Sequence, residues 1–193
     1  MKINHSQAGR LAPYRPRTNG ITLIESLVGL SILGLLISFG TPTLAGMIAK
    51  HAVTAETNSL MTFINYARTE AIMRQSRVAL CPSTQNNQCQ PSTNWDHGWL
   101  TYVDSNENRR LDPEEAVLAI HQSDDDQTQV HSSRGRTQLS FLPDGHASWS
   151  NGTYRICSTS GKAEPRAVIV STTGRPRISA VDPRGKPLTC PNA

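Results

Sequence analysis

The chain has 193 residues, of which 37% are hydrophobic and 5% aromatic, and its formal net charge is +4. This length allows one apolar helix and one domain of ordinary size. Residues 1–20 contain four of the 19 basic residues and no acidic residue, so the remainder has 15 of each and is formally neutral. Overall charge is therefore excluded as a reason for nucleic-acid binding, which would need a local basic patch.

The basic N-terminal segment precedes an apolar run from Gly20 to Gly40, close to the roughly 20 residues that cross a bilayer. Positive charge before such a run is typical of a cytoplasmic segment. Glu25 lies inside the run, where an unpaired carboxylate is costly. The N-terminal amine of a neighbouring copy would pair with it if the chain were cut after Gly20. The alternative is an ordinary signal anchor or secretory signal, which usually lacks an acid in this region.

The segment from Gly20 to Glu25, GITLIE, resembles the prepilin-peptidase site of type IV pilins and pseudopilins, with Ile21 where Phe is commoner. The resemblance implies cleavage after Gly20, N-methylation of Ile21, and a role for Glu25 in assembly with other pilins through the N-terminal helix. It also implies an inner-membrane precursor that later joins a pilus at the cell surface. The globular domain would then be periplasmic or extracellular.

The apolar run is expected to continue as a long helix. Residues 21–42 are predicted as the transmembrane and assembly helix, with a bend at Pro42, because proline removes an amide hydrogen bond. Residues 43–76 are predicted as its amphipathic half, because their apolar residues recur at helical spacing. One face of this half must be buried by the rest of the chain.

Residues 77–193 are predicted to form an antiparallel β-domain, because short β-branched runs alternate with Gly, Pro, Asn and Asp. Strands are predicted at 77–81, 99–103, 116–120, 138–142, 153–157, 166–170 and 177–180. The fold class is therefore α+β and pilin-like, with one long N-terminal helix packed on an antiparallel β-domain.

All four cysteines follow the apolar run, and an even number in an exported domain indicates disulfides. The sequence allows three pairings. We favour Cys81–Cys89, which closes a polar loop, together with Cys157–Cys190, which ties down the C-terminal tail. A zinc site is not expected, because no CxxC spacing occurs.

Charge is segregated along the β-domain, with net −6 over residues 100–126 and net +6 over residues 127–193. The acidic part has oxygen ligands at EF-hand-like spacing, namely Asp104, Asn106, Asn108, Asp112 and Glu115. Arg109 stands where that loop needs glycine, so a solvated hairpin loop is preferred to a calcium site. No metal or cofactor is predicted, and no catalytic trio can be assembled from the dispersed histidines.

Several later segments resemble the GspH/FimT family of minor pilins and pseudopilins. They are ALCPS at 79–83, WDHGW at 95–99, DSNEN at 104–108, FLPDG at 141–145, Cys157 and GRPR at 174–177. The last fits GRxR, which in the FimT branch is tied to DNA binding during natural transformation. The GspH branch, which serves type II secretion, implies instead a structural or priming subunit of a type IV pilus or type II secretion system that does not contact DNA.

The GRPR segment suits phosphate binding, because guanidinium groups bind phosphate oxygens with two prongs and stay charged. Arg175 and Arg177 are expected on one face of an extended segment, with Gly174 making room for a nucleic-acid backbone. The predicted DNA-binding residues are Gly174, Arg175, Arg177, Arg166, Arg184, Lys186 and Lys162. Such contacts carry no sequence specificity. The alternative is that these arginines only protect an edge strand from aggregation.

Overall fold

The structure is a computed structural model that describes residues 20–83, 86, 88–123, 126–147 and 149–190, without the side chains of residues 38–43. Cleavage after Gly20 would remove residues 1–20 as a leader, and residues 1–19 of this predicted leader lie outside the described ranges. The chain forms two compact units, residues 1–41 and residues 42–193.

One helix, α1, spans Leu23–Arg74. Its first turn is capped by Thr22, whose hydroxyl accepts the amide of Glu25 at 3.3 Å. At the other end Gln75 has a φ of 50°, and the amide of Ser76 donates to the carbonyl of Ala71 at 3.3 Å. A left-handed residue after the last turn is a common helix stop. The side chain of Pro42 lies outside the described ones, and the bend expected there stays a prediction.

The part of α1 that belongs to the first unit exposes its apolar side chains from Leu23 to Ile37. Within the described part of the chain, no helix is both long enough and apolar enough to span a bilayer. The predicted transmembrane segment, residues 21–42, includes residues 38–42, whose side chains lie outside the described ones.

The described residues of the second unit form eight strands in two antiparallel sheets. The first sheet has the order β3-β2-β1-β5 and the second sheet the order β4-β6-β7-β8. The strands are β1 Val78–Pro82, β2 Gly98–Val103, β3 Val117–Gln122, β4 Thr128–Ser132, β5 Leu139–Phe141, β6 Gly152–Ser158, β7 Arg166–Val170 and β8 Pro176–Ser179. All seven predicted strands are present within one or two residues. The prediction missed β4, in which only Val130 is a large apolar residue.

A single large core joins the helix to both sheets, which confirms the α+β fold class. Val53, Leu60 and Ile64 of α1 are buried in it. Leu80 and Trp99 contribute from the first sheet, and the second sheet contributes Val130, Tyr154, Ile156, Val168 and Val170. The rings of Trp95 and Tyr154 meet edge to face, with their centroids 5.1 Å apart. The amphipathic half of the helix is thus buried as its spacing indicates.

Both favoured disulfides, Cys81–Cys89 and Cys157–Cys190, are present. The first closes the polar loop after β1. The second ties the C-terminal segment to β6.

The acidic loop between β2 and β3 is closed by its own hydrogen bonds. Asn106 and Asn108 donate side-chain amides to Asp112 at 2.8 and 2.6 Å, and these bonds lower the pKa of Asp112. Asp104 is buried and accepts the amide of Arg109, and burial raises the pKa of Asp104. Among the described residues, no group of three His, Cys, Asp or Glu side chains is placed to hold a metal ion.

Candidate nucleic-acid interface

The GRPR segment forms the turn and the first residues of β8 in the β7–β8 hairpin. The amide of Gly174 donates to the carbonyl of Ser171 at 2.9 Å. The amide of Ser171 donates to the carbonyl of Arg175 at 3.2 Å. Gly174 has a φ of 73°. This is a three-residue hairpin loop whose last residue is left-handed, a position that favours glycine.

The tip of this hairpin packs on the loop after β5. The carbonyl of Thr172 accepts the amide of Ala147 at 3.0 Å. A Cβ at Gly174 would lie 2.0 Å from the carbonyl oxygen of Gly145. That oxygen also accepts the Nε–H of Arg68 in α1 at 3.0 Å. The space left by Gly174 is therefore filled by the Gly145 loop, and the prediction that it makes room for a nucleic-acid backbone is wrong.

The strand register divides the second sheet into two faces. Val168, Tyr154 and their neighbours of the same parity face the main core. The opposite side, which we call the outer face, includes Arg155, paired with Ala167, and Arg177, paired with Ile169. Arg175 continues the ladder opposite Ser171 on the same side. Arg175 and Arg177 are both exposed.

The C-terminal segment lies across this outer face. Leu188 is buried against Ala167 and Ile169, and the Cys157–Cys190 disulfide fixes its end. The Arg155 guanidinium donates to the carbonyl of Thr189 at 3.1 Å. The C-terminal residues therefore pack on the sheet that carries Arg177.

Two predicted residues, Arg184 and Lys186, project from a turn in this C-terminal segment. Both are exposed, and their backbone amides donate to Oδ1 of Asp182 at 2.8 Å. Asp182, the single acid of the segment, thus accepts hydrogen bonds from the backbone of its own turn. Arg134, Arg155 and Arg184 line one groove along the C-terminal segment.

We call the basic residues on this side the outer basic surface; they are Arg134, Arg155, Arg175, Arg177, Arg184 and Lys186. Among the described residues, none of them forms an ion pair with a carboxylate. Sequence reasoning missed Arg155. The sequence pattern could have indicated it, because Arg155 stands between the apolar Tyr154 and Ile156 in one strand and so lies on the opposite face from them.

Two other predicted residues, Lys162 and Arg166, lie elsewhere. Arg166 pairs with Ile156, on the core side of the register. Both line a separate cleft with Lys50 and Val53 of α1. The structure therefore does not bring them together with Arg177.

The predicted processing and assembly residues precede or begin α1. Gly20 and Ile21 come before its first residue, and Glu25 lies in its first turn. All three are exposed in the first unit. Their roles stay predictions.

Comparison with known proteins gives three findings. The model of the family described as "Type II transport protein GspH" matches residues 56–174. The "Pilin-like protein PilA1" of Thermus thermophilus is 35% identical over an alignment of 164 residues, and the match covers 82% of this chain and 97% of that protein. Two crystal structures of the type IV minor pilin FimU from Pseudomonas aeruginosa have a similar fold.

The FimU structures give TM-scores of 0.53 and 0.50, at 16% and 17% identity. The matches cover 67% and 65% of this chain, and 89% and 91% of the FimU chains. At such identities the likeness shows the fold alone.

Proposed function

The chain belongs to the GspH family of type IV pilin-like proteins, and we propose that its outer basic surface binds the phosphate backbone of extracellular DNA for uptake. Its minor pilin or pseudopilin character follows from the family. Members of this family are structural subunits that associate with other pilins. Binding of DNA during natural transformation is the additional step that we propose.

The observation that carries the proposal is the unpaired state of the outer basic surface. Arg175 and Arg177 are exposed, and neither has a carboxylate partner among the residues described. Arg155 and Arg177 are two strands apart and offset by two residues along the strands, which is roughly 12 Å at ordinary strand spacing. A nucleic-acid backbone spans that distance in a few nucleotides, at about 3.4 Å per step. Several phosphates can therefore be contacted at once.

The same proposal includes processing and location. Prepilin peptidase cleaves after Gly20 and Ile21 is methylated, and its new amine pairs with Glu25 of a neighbouring pilin in the filament. The precursor resides in the inner membrane before assembly at the cell surface. The cleaved form would be lighter by about 2 kDa, the mass of 20 ordinary residues.

The test is DNA binding by the full chain in a neutral detergent, measured by fluorescence anisotropy at several salt concentrations. Arg175→Gln with Arg177→Gln should weaken binding and make the log–log salt slope shallower by about 0.9 for each lost phosphate contact. Lys50→Gln with Arg74→Gln removes the same charge from exposed positions of α1 and should bind like the parent. In cells, the first variant should still make pili and should lose transformation.

The proposal fails if Arg175→Gln with Arg177→Gln binds duplex DNA like the parent and transforms normally. The remaining function would then be a structural or priming role in a pilus or a type II secretion system. The description of the matched family, a type II transport protein, favours that second candidate.

A further inference from the structure

A second basic groove lies on the other side of the turn between β4 and β5. Its lining includes Arg109, Arg110, Gly135, Arg136 and Trp149. Arg134 lines the groove of the outer basic surface, while Arg136 lines this one. The Arg134-Gly135-Arg136 turn therefore stands between two grooves that are both basic.

Trp149 is the unusual member of this second groove. It is 84% exposed, whereas Trp95 and Trp99 are buried. Its φ is 52°, a left-handed conformation that is an outlier for a bulky residue. Such a conformation persists only where the surrounding structure imposes it, and it is commoner at functional sites.

The neighbours of Trp149 impose its conformation. The buried hydroxyl of Ser150 accepts the amide of Ser140 and donates to its carbonyl, both at 2.9 Å. The Arg136 guanidinium donates to the carbonyl of Trp149. The stem of Arg136 lies over Gly152, where a Cβ would come within 3.2 Å of its Cγ. The backbone from the Trp149 carbonyl to Gly152 is thus held by these contacts while the indole ring stays in solvent.

Arg136 is engaged by the Trp149 carbonyl, and the other two arginines that line this groove are the ones available to a ligand. Neither Arg109 nor Arg110 is in an ion pair within the described ranges. Several acids of the same loop have other partners. Asp112 accepts the side-chain amides of Asn106 and Asn108, Glu107 pairs with Arg77, and Glu115 accepts the amide of Ser105. Positive charge and an exposed aromatic face therefore occur together in one groove.

We propose that this groove binds single-stranded DNA, with one base stacked on Trp149 and neighbouring phosphates on Arg109 and Arg110. Every base has a flat face that an aromatic ring can stack on, so the contact is indifferent to sequence. In a duplex those faces are already stacked within the helix. The inference rests on the proposed function and adds a preference for the unpaired strand.

The test uses the full chain in a neutral detergent, with an oligothymidylate and a duplex of equal length as probes. Because Trp95 and Trp99 are buried, quenching of tryptophan fluorescence on adding the oligothymidylate reports Trp149. Trp149→Ala should lower the affinity for the single strand about tenfold, the size expected for one lost stacked base. Duplex affinity should stay within about twofold of the parent. Trp149→Phe, which keeps an aromatic ring, should retain most of the single-strand affinity.

The outcomes separate this inference from the proposed function. If both probes bind equally and Trp149→Ala changes neither affinity, the stacking site is overturned and the backbone-binding proposal stands. If Trp149→Ala weakens single-strand binding while Arg175→Gln with Arg177→Gln changes nothing, the stacking site stands and the outer basic surface loses its role. Binding of neither probe overturns both. Unchanged thermal unfolding of Trp149→Ala shows that any loss is local.

Discussion

Gly174 and Gly145 meet beneath the β7–β8 turn, and a third element joins them there. The Gly145 carbonyl lies between the hairpin tip and Arg68 of α1. A Cβ on Gly145 itself would come within 2.9 Å of Ile72. The glycine of GRPR is thus a packing residue that fixes where Arg175 and Arg177 project. If a variant of Gly174 lost DNA binding, the cause would therefore be a folding defect and not the loss of a direct contact with DNA.

Gly174→Ala is expected to destabilise the domain by more than about 2 kcal/mol, because left-handed strain adds to a clash with backbone. Gly185→Ala is the matched control, since Gly185 has a φ of 77° and a Cβ added there would meet nothing within 4 Å. The control should lower the unfolding free energy by about 1 kcal/mol, the cost of left-handed backbone strain alone. Urea unfolding measures both. Equal losses would show that the Gly145 contact adds nothing.

Asp104 gives a dependence of stability on pH. Burial raises its pKa above the ordinary value of 3.8, so the folded protein holds this proton more tightly than the unfolded chain does. Unfolding free energy should therefore fall as pH rises from about 4 through the raised pKa. Asp104→Asn keeps an oxygen for the amide of Arg109 and should lack this fall. Urea unfolding at several pH values tests it, and parallel pH profiles for parent and variant would contradict it.

At the scale of elements, apolar patterns predicted most of the fold. Seven strands and the buried face of α1 are visible in the sequence, because long apolar or β-branched runs need burial. β4 has a weak signal, since its inward residues include the polar Thr128 and Ser132. Its existence depends on pairing with β6, which sequence spacing does not show. For the same reason the sequence could not predict that Arg134 lies beside Arg155 and Arg184.

The C-terminal segment is expected to depend on its disulfide. Cys157→Ser with Cys190→Ser should cost about 2–4 kcal/mol, the usual value for a bridge that closes a long loop. It should also expose Ala167 and Ile169, which Leu188 now covers. The other bridge joins residues 8 apart instead of 33, so Cys81→Ser with Cys89→Ser should cost less. Denaturation and limited proteolysis after residue 180 measure these effects, and an intact tail in the first variant would contradict the prediction.

At the scale of the whole molecule, the acidic and basic stretches of the sequence lie in different parts of the β-domain. The acidic loop joins β2 to β3 in the first sheet, while most of the basic residues of the β-domain lie on or beside the second sheet. The sequence predicted a basic surface, and four of the residues that it proposed for DNA binding, Arg175, Arg177, Arg184 and Lys186, are exposed. It could not separate these from Lys162 and Arg166. The face on which Arg166 lies depends on how β7 pairs with β6, and Lys162 lies in the loop before β7.

Two variants with the same change in net charge test whether location or total charge governs DNA binding. Arg177→Gln with Arg184→Gln removes two charges from the outer basic surface, and Lys162→Gln with Arg166→Gln removes two from the cleft beside α1. We expect the first pair to make the log–log salt slope of duplex binding shallower by up to about 1.8, since each phosphate contact contributes about 0.9. The second pair should leave affinity and slope close to those of the parent. The leader is identical in all variants, so its charges cancel from the comparison. Equal weakening by both pairs would show that binding follows net charge, and the outer basic surface would then have no special role.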